Sequence, residues 1–356
     1  MLKRGASGGP IRVVFVLVPR FSLNAFSAAQ EPLRLANYVS GHTLYSWFVV
    51  TSDGKPVPSS GGVRVTPDFA AAELEQPDNV IVCSGFDAHR YHDPALFGLL
   101  RKWAQGGAAV GAVCTASIVL ARAGLLDGHP CTIHWELLEY FREAFPHLDA
   151  RAELYEHDGE RFTCAGGSAA ADMMLSEITE RLGLDMAVQV SEQFLHGGIR
   201  SGDDAQRLPV QTRLRVSHPR LVRAIREMEN HAEEPLSRDA IAARVGLSSR
   251  QLERLFRRHL QTSPARYYLK LRLDRARHLL GHTDMSVTEI ALACGFTSAS
   301  HFSKCYRDLF GHTPRAERRP ARRRNRAEAP SVEGGAAADD SEGGLPDEAE
   351  APVDAR

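Results

Sequence analysis

Cys114 is the residue of this 356-residue chain whose setting most suggests covalent chemistry, because it lies in the sequence AVGAVCTA at residues 109–116. The apolar half predicts a buried strand, and the small residues after it predict a tight turn into a helix over 117–123. A side chain on such an elbow is exposed at the edge of a sheet. The N-terminus of the following helix is expected to lower the pKa of a thiol there, so Cys114 is the candidate reactive cysteine.

Charge indicates a second kind of chemistry, the binding of a polyanion. The net charge is −1, but it is strongly segregated: residues 1–215 carry −5, residues 216–326 carry +12 and residues 327–356 carry −8. The basic middle segment is therefore predicted to bind nucleic acid. Its arginine-rich end, residues 315–326, is expected either to extend the phosphate contacts or to be a solvated tail.

The basic segment contains a repeat with a spacing of 49–50 residues, in which GLS at 246–248 returns as GFT at 295–297. In each copy a serine caps a short helix, predicted over 238–245 and 287–294, and a glycine ends it. A second serine, Ser248 or Ser298, caps the next helix, whose apolar residues, including Leu309 in the second copy, are expected to face inward. Each copy therefore predicts a helix-turn-helix unit, and a helix over 265–280 joins the two. Units so joined can enter successive major grooves about 34 Å apart.

The second copy reads GFTSASHFSK at residues 295–304, followed by FGHTP at 310–314. It resembles the signature of the AraC/XylS family of transcription regulators, which implies a double helix-turn-helix domain over 216–319 that reads double-stranded DNA. The resemblance places the base-reading side chains on Arg250, Glu253, Arg254, Ser300, His301, Ser303 and Lys304. Phosphate contacts are expected from Arg257, Arg258 and Arg307. The alternative is that the arginine-rich helices are merely solvated faces.

The region before the basic segment alternates strand and helix patterns. Strands are predicted over 11–19, 44–52, 79–83 and 108–113, and helices over 22–38, 94–105 and 169–182, which indicates βαβ units around a mostly parallel sheet. A linker is predicted at 194–215, and disordered ends at 1–10 and 320–356. With LLDG at 125–128 and TIHW at 132–135, the region resembles the ThiJ/PfpI domain of the glutamine amidotransferase-like superfamily. That resemblance implies an α/β flavodoxin-like fold over 11–193.

The sequence departs from the hydrolytic members of that superfamily. Their elbow cysteine works with a histidine and a carboxylate, but here Thr115 follows Cys114, and the turn FSLNAF at 21–26 holds no acid. His134 and His147 remain candidate partners, although a lone histidine is more often structural. A thiol without a base is a poor nucleophile, so no catalytic residue is predicted. The alternative is a cysteine hydrolase or amidase that uses Cys114.

Regulators that join these two domains form the GlxA-type subgroup, in which the first domain senses a ligand and dimerises. The resemblance implies a homodimeric activator, which would also contact RNA polymerase, with an amino acid or a quaternary amine such as a betaine or carnitine as effector. A ligand-independent architectural DNA-binding protein is the other alternative. Open α/β sheets bind ligands at the carboxyl ends of their strands. An effector pocket is therefore predicted at that edge of the sheet in the first domain. The predicted pocket residues are Ser84, Gly85, Phe86, Cys114, Thr115, His134 and Trp135.

The cellular compartment follows from apolar runs and cysteines. The run at 13–18 is too short to span a membrane, and Pro19 and Arg20 close it, which argues against both a span and a signal peptide. The six cysteines form no CxxC pair, as expected of thiols in a reducing compartment. A cytoplasmic protein with no membrane contact, no cofactor and no metal site is predicted.

Overall fold

The structure is a computed structural model that describes residues 1–5 and 9–318. The predicted disordered tail at 320–356 lies outside these residues. Seven strands of the first domain form one sheet in the order β10-β11-β7-β6-β1-β2-β5. All neighbours in it are parallel except β10 and β11. Its strands are β1 (Ile11–Leu17), β2 (Tyr45–Thr51), β5 (Phe69–Ala70), β6 (Asn79–Cys83), β7 (Ala109–Val113), β10 (Tyr155–Asp158) and β11 (Arg161–Cys164).

Two short ribbons lie outside this sheet. They pair β3 (Val57–Pro58) with β4 (Arg64–Val65), and β8 (Cys131–Thr132) with β9 (Ala150–Arg151). The central order β2-β1-β6-β7-β11 is the flavodoxin-like order 2-1-3-4-5, counted along the chain. The predicted α/β fold with a mostly parallel sheet is therefore confirmed.

Helices cover both faces of the sheet, because the central strands are apolar on both sides. Three pack on one face: α1 (Leu23–Ser40), α5 (Ala169–Leu182) and α6 (Leu184–Gln193). Three pack on the other: α2 (Pro94–Gln105), α3 (Ser117–Arg122) and α4 (Leu138–Ala144). No helix within residues 1–5 and 9–318 is both long enough and apolar enough to cross a bilayer.

The prediction that residues 1–10 are disordered is wrong for the first five. Leu2 is buried in the core beside α5, and its backbone N–H donates to Glu177 Oε2 at 3.1 Å. The backbone N–H of Lys3 donates to the side chain of Asn79. A buried apolar side chain and several hydrogen bonds to distant residues thus order a segment whose composition alone suggested disorder.

The second domain is all helical, as predicted, and has two cores. The long helix α11 contributes to both: Tyr268 packs in the first core, whereas Leu273 and Ala276 pack in the second. The helices are α7 (Val210–Leu214), α8 (Pro219–Asn230), α9 (Arg238–Arg244), α10 (Ser249–Leu260), α11 (Pro264–His282), α12 (Val287–Ala293), α13 (Ala299–Phe310) and α14 (Pro314–Glu317).

Two details of this domain differ from prediction. Residues 194–215 were predicted as a linker, but α7 forms inside that range, and Val210 is buried in the first helical core. Leu309 was expected to face inward with the other apolar residues of α13, yet it is 39% exposed. The aromatic rings of Phe302, Tyr306 and Phe310 pack against one another along the inner face of α13 instead, edge-to-face in the first pair and tilted in the second.

Candidate nucleic-acid interface and effector cavity

The second helix of each repeat begins at its predicted serine cap. Ser248 Oγ accepts a hydrogen bond from the backbone N–H of Gln251, and Ser298 Oγ accepts one from that of His301. Each cap satisfies a backbone donor that would otherwise lack a partner in the first helical turn. The two helices α10 and α13 therefore start at corresponding points of the two units.

The predicted DNA-contacting side chains lie on the outer faces of these helices. In α10, Leu252 and Phe256 are buried on the opposite side, and in α13 Phe302 and Tyr306 are. Glu253 and Ser303 are partly buried, and the Glu253 carboxylate lies 3.2 Å from Arg257 Nε. The other eight predicted contacts are exposed: Arg250, Arg254, Arg257, Arg258, Ser300, His301, Lys304 and Arg307.

The turn of the second unit is held by a side chain that the sequence did not single out. Arg272, on α11, donates from Nε to the carbonyl of Cys294 at 2.7 Å and from Nη2 to that of Gly295 at 2.6 Å. Its guanidinium also lies 4.2 Å from the ring centroid of Phe296. Nothing in its spacing distinguished Arg272 from the other arginines of α11. It fixes the end of α12 to the helix that joins the two units.

A cavity of about 370 Å³ opens at the carboxyl ends of β6 and β7, where the effector pocket was predicted. Six of the seven predicted residues line it, and the seventh, Ser84, is buried behind them with its Oγ 2.9 Å from Thr115 Oγ1. Sequence reasoning missed the lining residues that come from separate loops and helix ends. The lining comprises Ser22, Asn24, Ser60, Gly85, Phe86, Cys114, Thr115, His134, Trp135, Glu136, Leu137 and Gly167.

Cys114 sits on the predicted elbow, and its backbone has φ 65°, a left-handed conformation that is strained for a residue with a side chain. The prediction that a helix N-terminus lowers the pKa of its thiol is wrong. Burial raises that pKa to about 11, and the hydrogen bonds from Thr115 oppose the shift only in part. The thiol is therefore protonated at neutral pH.

The two histidines predicted as partners of the thiol lie in different surroundings. His134 lines the cavity, with its Nδ1 3.9 Å from Glu136 Oε2, whereas His147 is outside the lining and lies 3.3 Å from Asp127 at an exposed position. Ser22 and Asn24, at the start of α1, are the residues that the segment after β1 presents to the cavity. Among residues 1–5 and 9–318, no group of three or more histidine, cysteine or acidic side chains is arranged to hold a metal ion.

Trp135 and Glu136 also face the second domain. The Arg207 guanidinium lies 4.6 Å from the ring centroid of Trp135, and the His278 ring stands edge-on to the same ring at 5.7 Å between centroids. Glu136 Oε1 is 3.4 Å from His278 Nδ1. The wall of the cavity is thus in direct contact with α11.

Comparison with known proteins gives matches for both domains. Residues 19–180 match the DJ-1/PfpI family, and residues 241–320 match a helix-turn-helix domain. The HTH-type transcriptional regulator CdhR of Pseudomonas aeruginosa is 48% identical over 85% of this chain and 90% of its own length. GbdR of the same species is 45% identical over 87% of this chain and 84% of its own, and GlxA of Rhizobium meliloti is 40% identical over 86% and 95%.

The chain belongs to this family of transcriptional regulators. Its members match it across both domains, so the predicted pairing of a ThiJ/PfpI domain with an AraC-type helix-turn-helix domain is confirmed. CdhR, GbdR and GlxA are all named as HTH-type transcriptional regulators. The protein is a DNA-binding regulator, and the elbow cysteine lines the cavity of its first domain.

Proposed function

We propose that the protein is a ligand-responsive regulator that reads an operator through α10 and α13 and binds its effector in the cavity of the first domain. The proposal of DNA binding rests on one observation: α10 and α13 each expose a polar face with basic side chains, and the continuous helix α11 joins them. By analogy with the family, we propose a homodimer that activates transcription at promoters and contacts RNA polymerase. Such a regulator works in the cytoplasm, where the DNA of its bacterial relatives lies.

The exposed arginines of α10 divide into two roles by position. Arg250 and Arg254 lie in the first turns of the helix, where a recognition helix meets base edges, and each can offer a bidentate fork to guanine. Arg257 and Arg258 follow in the last turns and are better placed for phosphates. Ser300, His301, Ser303 and Lys304 occupy the corresponding base-reading turns of α13.

The lining of the cavity supports a small zwitterion as the effector. The N-terminal ends of α1 and α5 border it at Ser22 and Gly167, and helix N-termini favour a carboxylate. Glu136 and the aromatic side chains Phe86 and Trp135 stand elsewhere in the lining and favour a cation. An amino acid or a betaine carries both charges on a scaffold that a cavity of about 370 Å³ accommodates.

Thermal unfolding of the full chain with a panel of amino acids, betaines and carnitine tests the effector. A ligand at 100 times its Kd stabilises the folded protein by about 2.7 kcal/mol. The variant Glu136→Gln should lose most of this gain for quaternary amines, because it removes the negative charge from the lining. Asp127→Asn, an exposed acid outside the lining, is the control. Equal gains in all three proteins would contradict the proposed site.

Selection of duplexes from a random pool, with and without the stabilising ligand, tests the DNA-binding half. We expect enrichment of a sequence with two contact regions about one helical turn apart. A pool that shows no enrichment over competitor DNA at moderate salt would contradict the proposed operator binding.

A further inference from the structure

The loop between β8 and α4 has one face on the cavity and the other on the DNA-binding domain. His134, Trp135, Glu136 and Leu137 all line the cavity, and Trp135 and Glu136 also reach His278 on α11. The backbone N–H of His134 donates to the carbonyl of Cys114 at 3.3 Å, so the loop is tied to the elbow at the cavity floor. Whatever fills the cavity therefore touches a segment that also touches the second domain.

The chain that leads into the DNA-binding domain is attached to the same loop. Gln206 Nε2 donates to the carbonyl of Ile133 at 3.0 Å and to that of Glu153 at 2.8 Å. Its neighbour Arg207 lies over the ring of Trp135. Three residues further on, Val210 enters the core of the first helix-turn-helix unit. The loop thus holds the start of that unit as well as α11.

His278 lies in the part of α11 that belongs to the second unit. Its helical neighbours Leu279 and Ala276 are buried in the second core. Arg272, six residues earlier on the same helix, holds the turn before α13. Because packed helices move as rigid elements, a change of position at His278 is a change of position for the second recognition helix.

We propose that the loop at 133–137 transmits cavity occupancy to the DNA-binding domain through the contacts of Trp135 and Glu136 with Arg207 and His278. The inference rests on the proposed effector site. A ligand cation beside Glu136 competes with His278 for the Glu136 carboxylate and displaces the loop. The contacts between the first domain and α11 therefore differ between the empty and the filled cavity. Such a difference is what allosteric coupling requires.

The test compares operator Kd with and without betaine in the full-length wild type and in His278→Ala. The His278 side chain is 42% exposed, so its truncation should leave the fold intact, and a thermal unfolding curve checks this. We expect betaine to change the wild-type Kd by about fivefold or more. In His278→Ala the ratio of the operator Kd values with and without betaine should lie within about twofold of one, while betaine still raises the unfolding temperature. Arg207→Ala should behave in the same way.

Arg90→Ala is the matched control. Arg90 joins the two domains through Nη2, 2.9 Å from Asp284 Oδ1, but it lies outside the cavity lining. This variant should keep the wild-type ratio. The proposal would be overturned if both His278→Ala and Arg207→Ala kept the wild-type ratio of operator Kd values. It would also be overturned if Arg90→Ala lost this ratio to the same extent as those two variants.

The ligand panel and one further variant distinguish a wrong effector assignment from an absence of coupling between the cavity and the DNA-binding domain. If neither betaine nor any other compound of the panel stabilises the wild type, the proposed effector class is wrong. Coupling is then measured with Asn24→Trp, which fills the cavity from an exposed position on α1. Its operator Kd should differ from wild type by about threefold or more, and the difference should vanish in the His278→Ala background. An unchanged Kd in Asn24→Trp would overturn the coupling itself.

Discussion

At the scale of single residues, α10 has its apolar packing residues on one face and its arginines on the exposed face. Leu252 and Phe256 are buried one turn apart, while Arg254 and Arg258, two residues after each of them, are exposed. A substitution on the exposed face is therefore expected to have little effect on folding, so its effect on DNA binding can be measured separately. The two arginines have the same chemistry but different distances from the start of the helix, so they form a matched pair.

Arg254→Ala is expected to weaken operator binding by about 1–3 kcal/mol, the worth of a bidentate arginine–guanine contact. It should relax the preference at one base position and leave binding to random duplexes nearly unchanged. Arg258→Ala should weaken operator and random DNA alike, since phosphate contacts carry no sequence information. Competition binding with both kinds of duplex measures this. Equal losses on both duplexes for both variants would contradict the division of roles.

The thiol of Cys114 offers a test through pH. Because burial raises its pKa to about 11, the thiolate fraction at pH 7 is small and rises about tenfold per pH unit until the pH approaches 11. The rate of alkylation by iodoacetamide in a protein whose other cysteines are replaced by serine should follow this rise. A rate that levels off below pH 8 would show an activated nucleophile and contradict the structure.

At the scale of elements, local signals predicted the helices of the DNA-binding domain well. Ser237 and Ser286 cap α9 and α12 as expected, because a serine before an amphipathic run satisfies backbone donors within its own turn. Signals of this kind are absent where long-range contacts decide the structure. Leu2 is ordered by α5, and Arg272 finds its carbonyl partners 22 and 23 residues away. No local pattern contains those partners.

The cavity shows the same limit. Gly85 and Cys114 were predictable because they follow β6 and β7, whose carboxyl ends lie at the edge of the parallel sheet. Asn24, Ser60 and Gly167 line the cavity only because three distant loops end at that edge. The residues next to them in the sequence do not indicate that these three segments come together.

The two turn glycines allow an experiment at this scale. Gly246 and Gly295 both have left-handed φ, 66° and 72°. A Cβ on Gly246 meets nothing within 4 Å, whereas one on Gly295 lies 2.6 Å from the carbonyl oxygen of Glu233 and from Pro235. Gly246→Ala should cost about 1–2 kcal/mol of folding stability from backbone strain alone. Gly295→Ala should cost clearly more, since the backbone must also shift. Thermal unfolding of both variants measures the difference, and equal destabilisation would contradict this packing.

At the scale of the whole molecule, the two helix-turn-helix units are fixed to each other. α11 has 19 residues and is therefore about 28 Å long. Besides this helix, Arg275 joins the units through an ion pair with Glu233 at 2.5 Å, next to the contact of Gly295 with the same loop. The separation and rotation of α10 and α13 are thus set by the protein, and the DNA must match them.

Insertion of base pairs between the two contact regions of the selected operator tests this rigidity. Five added base pairs turn the second region to the opposite face of the duplex, and ten restore the face but move it about 34 Å further away. A rigid pair of units should lose the second contact in both cases, so the Kd should equal that of an operator whose second region is scrambled. A flexible pair would recover affinity with ten base pairs. Recovery there would show that α11 does not hold α10 and α13 at a fixed distance.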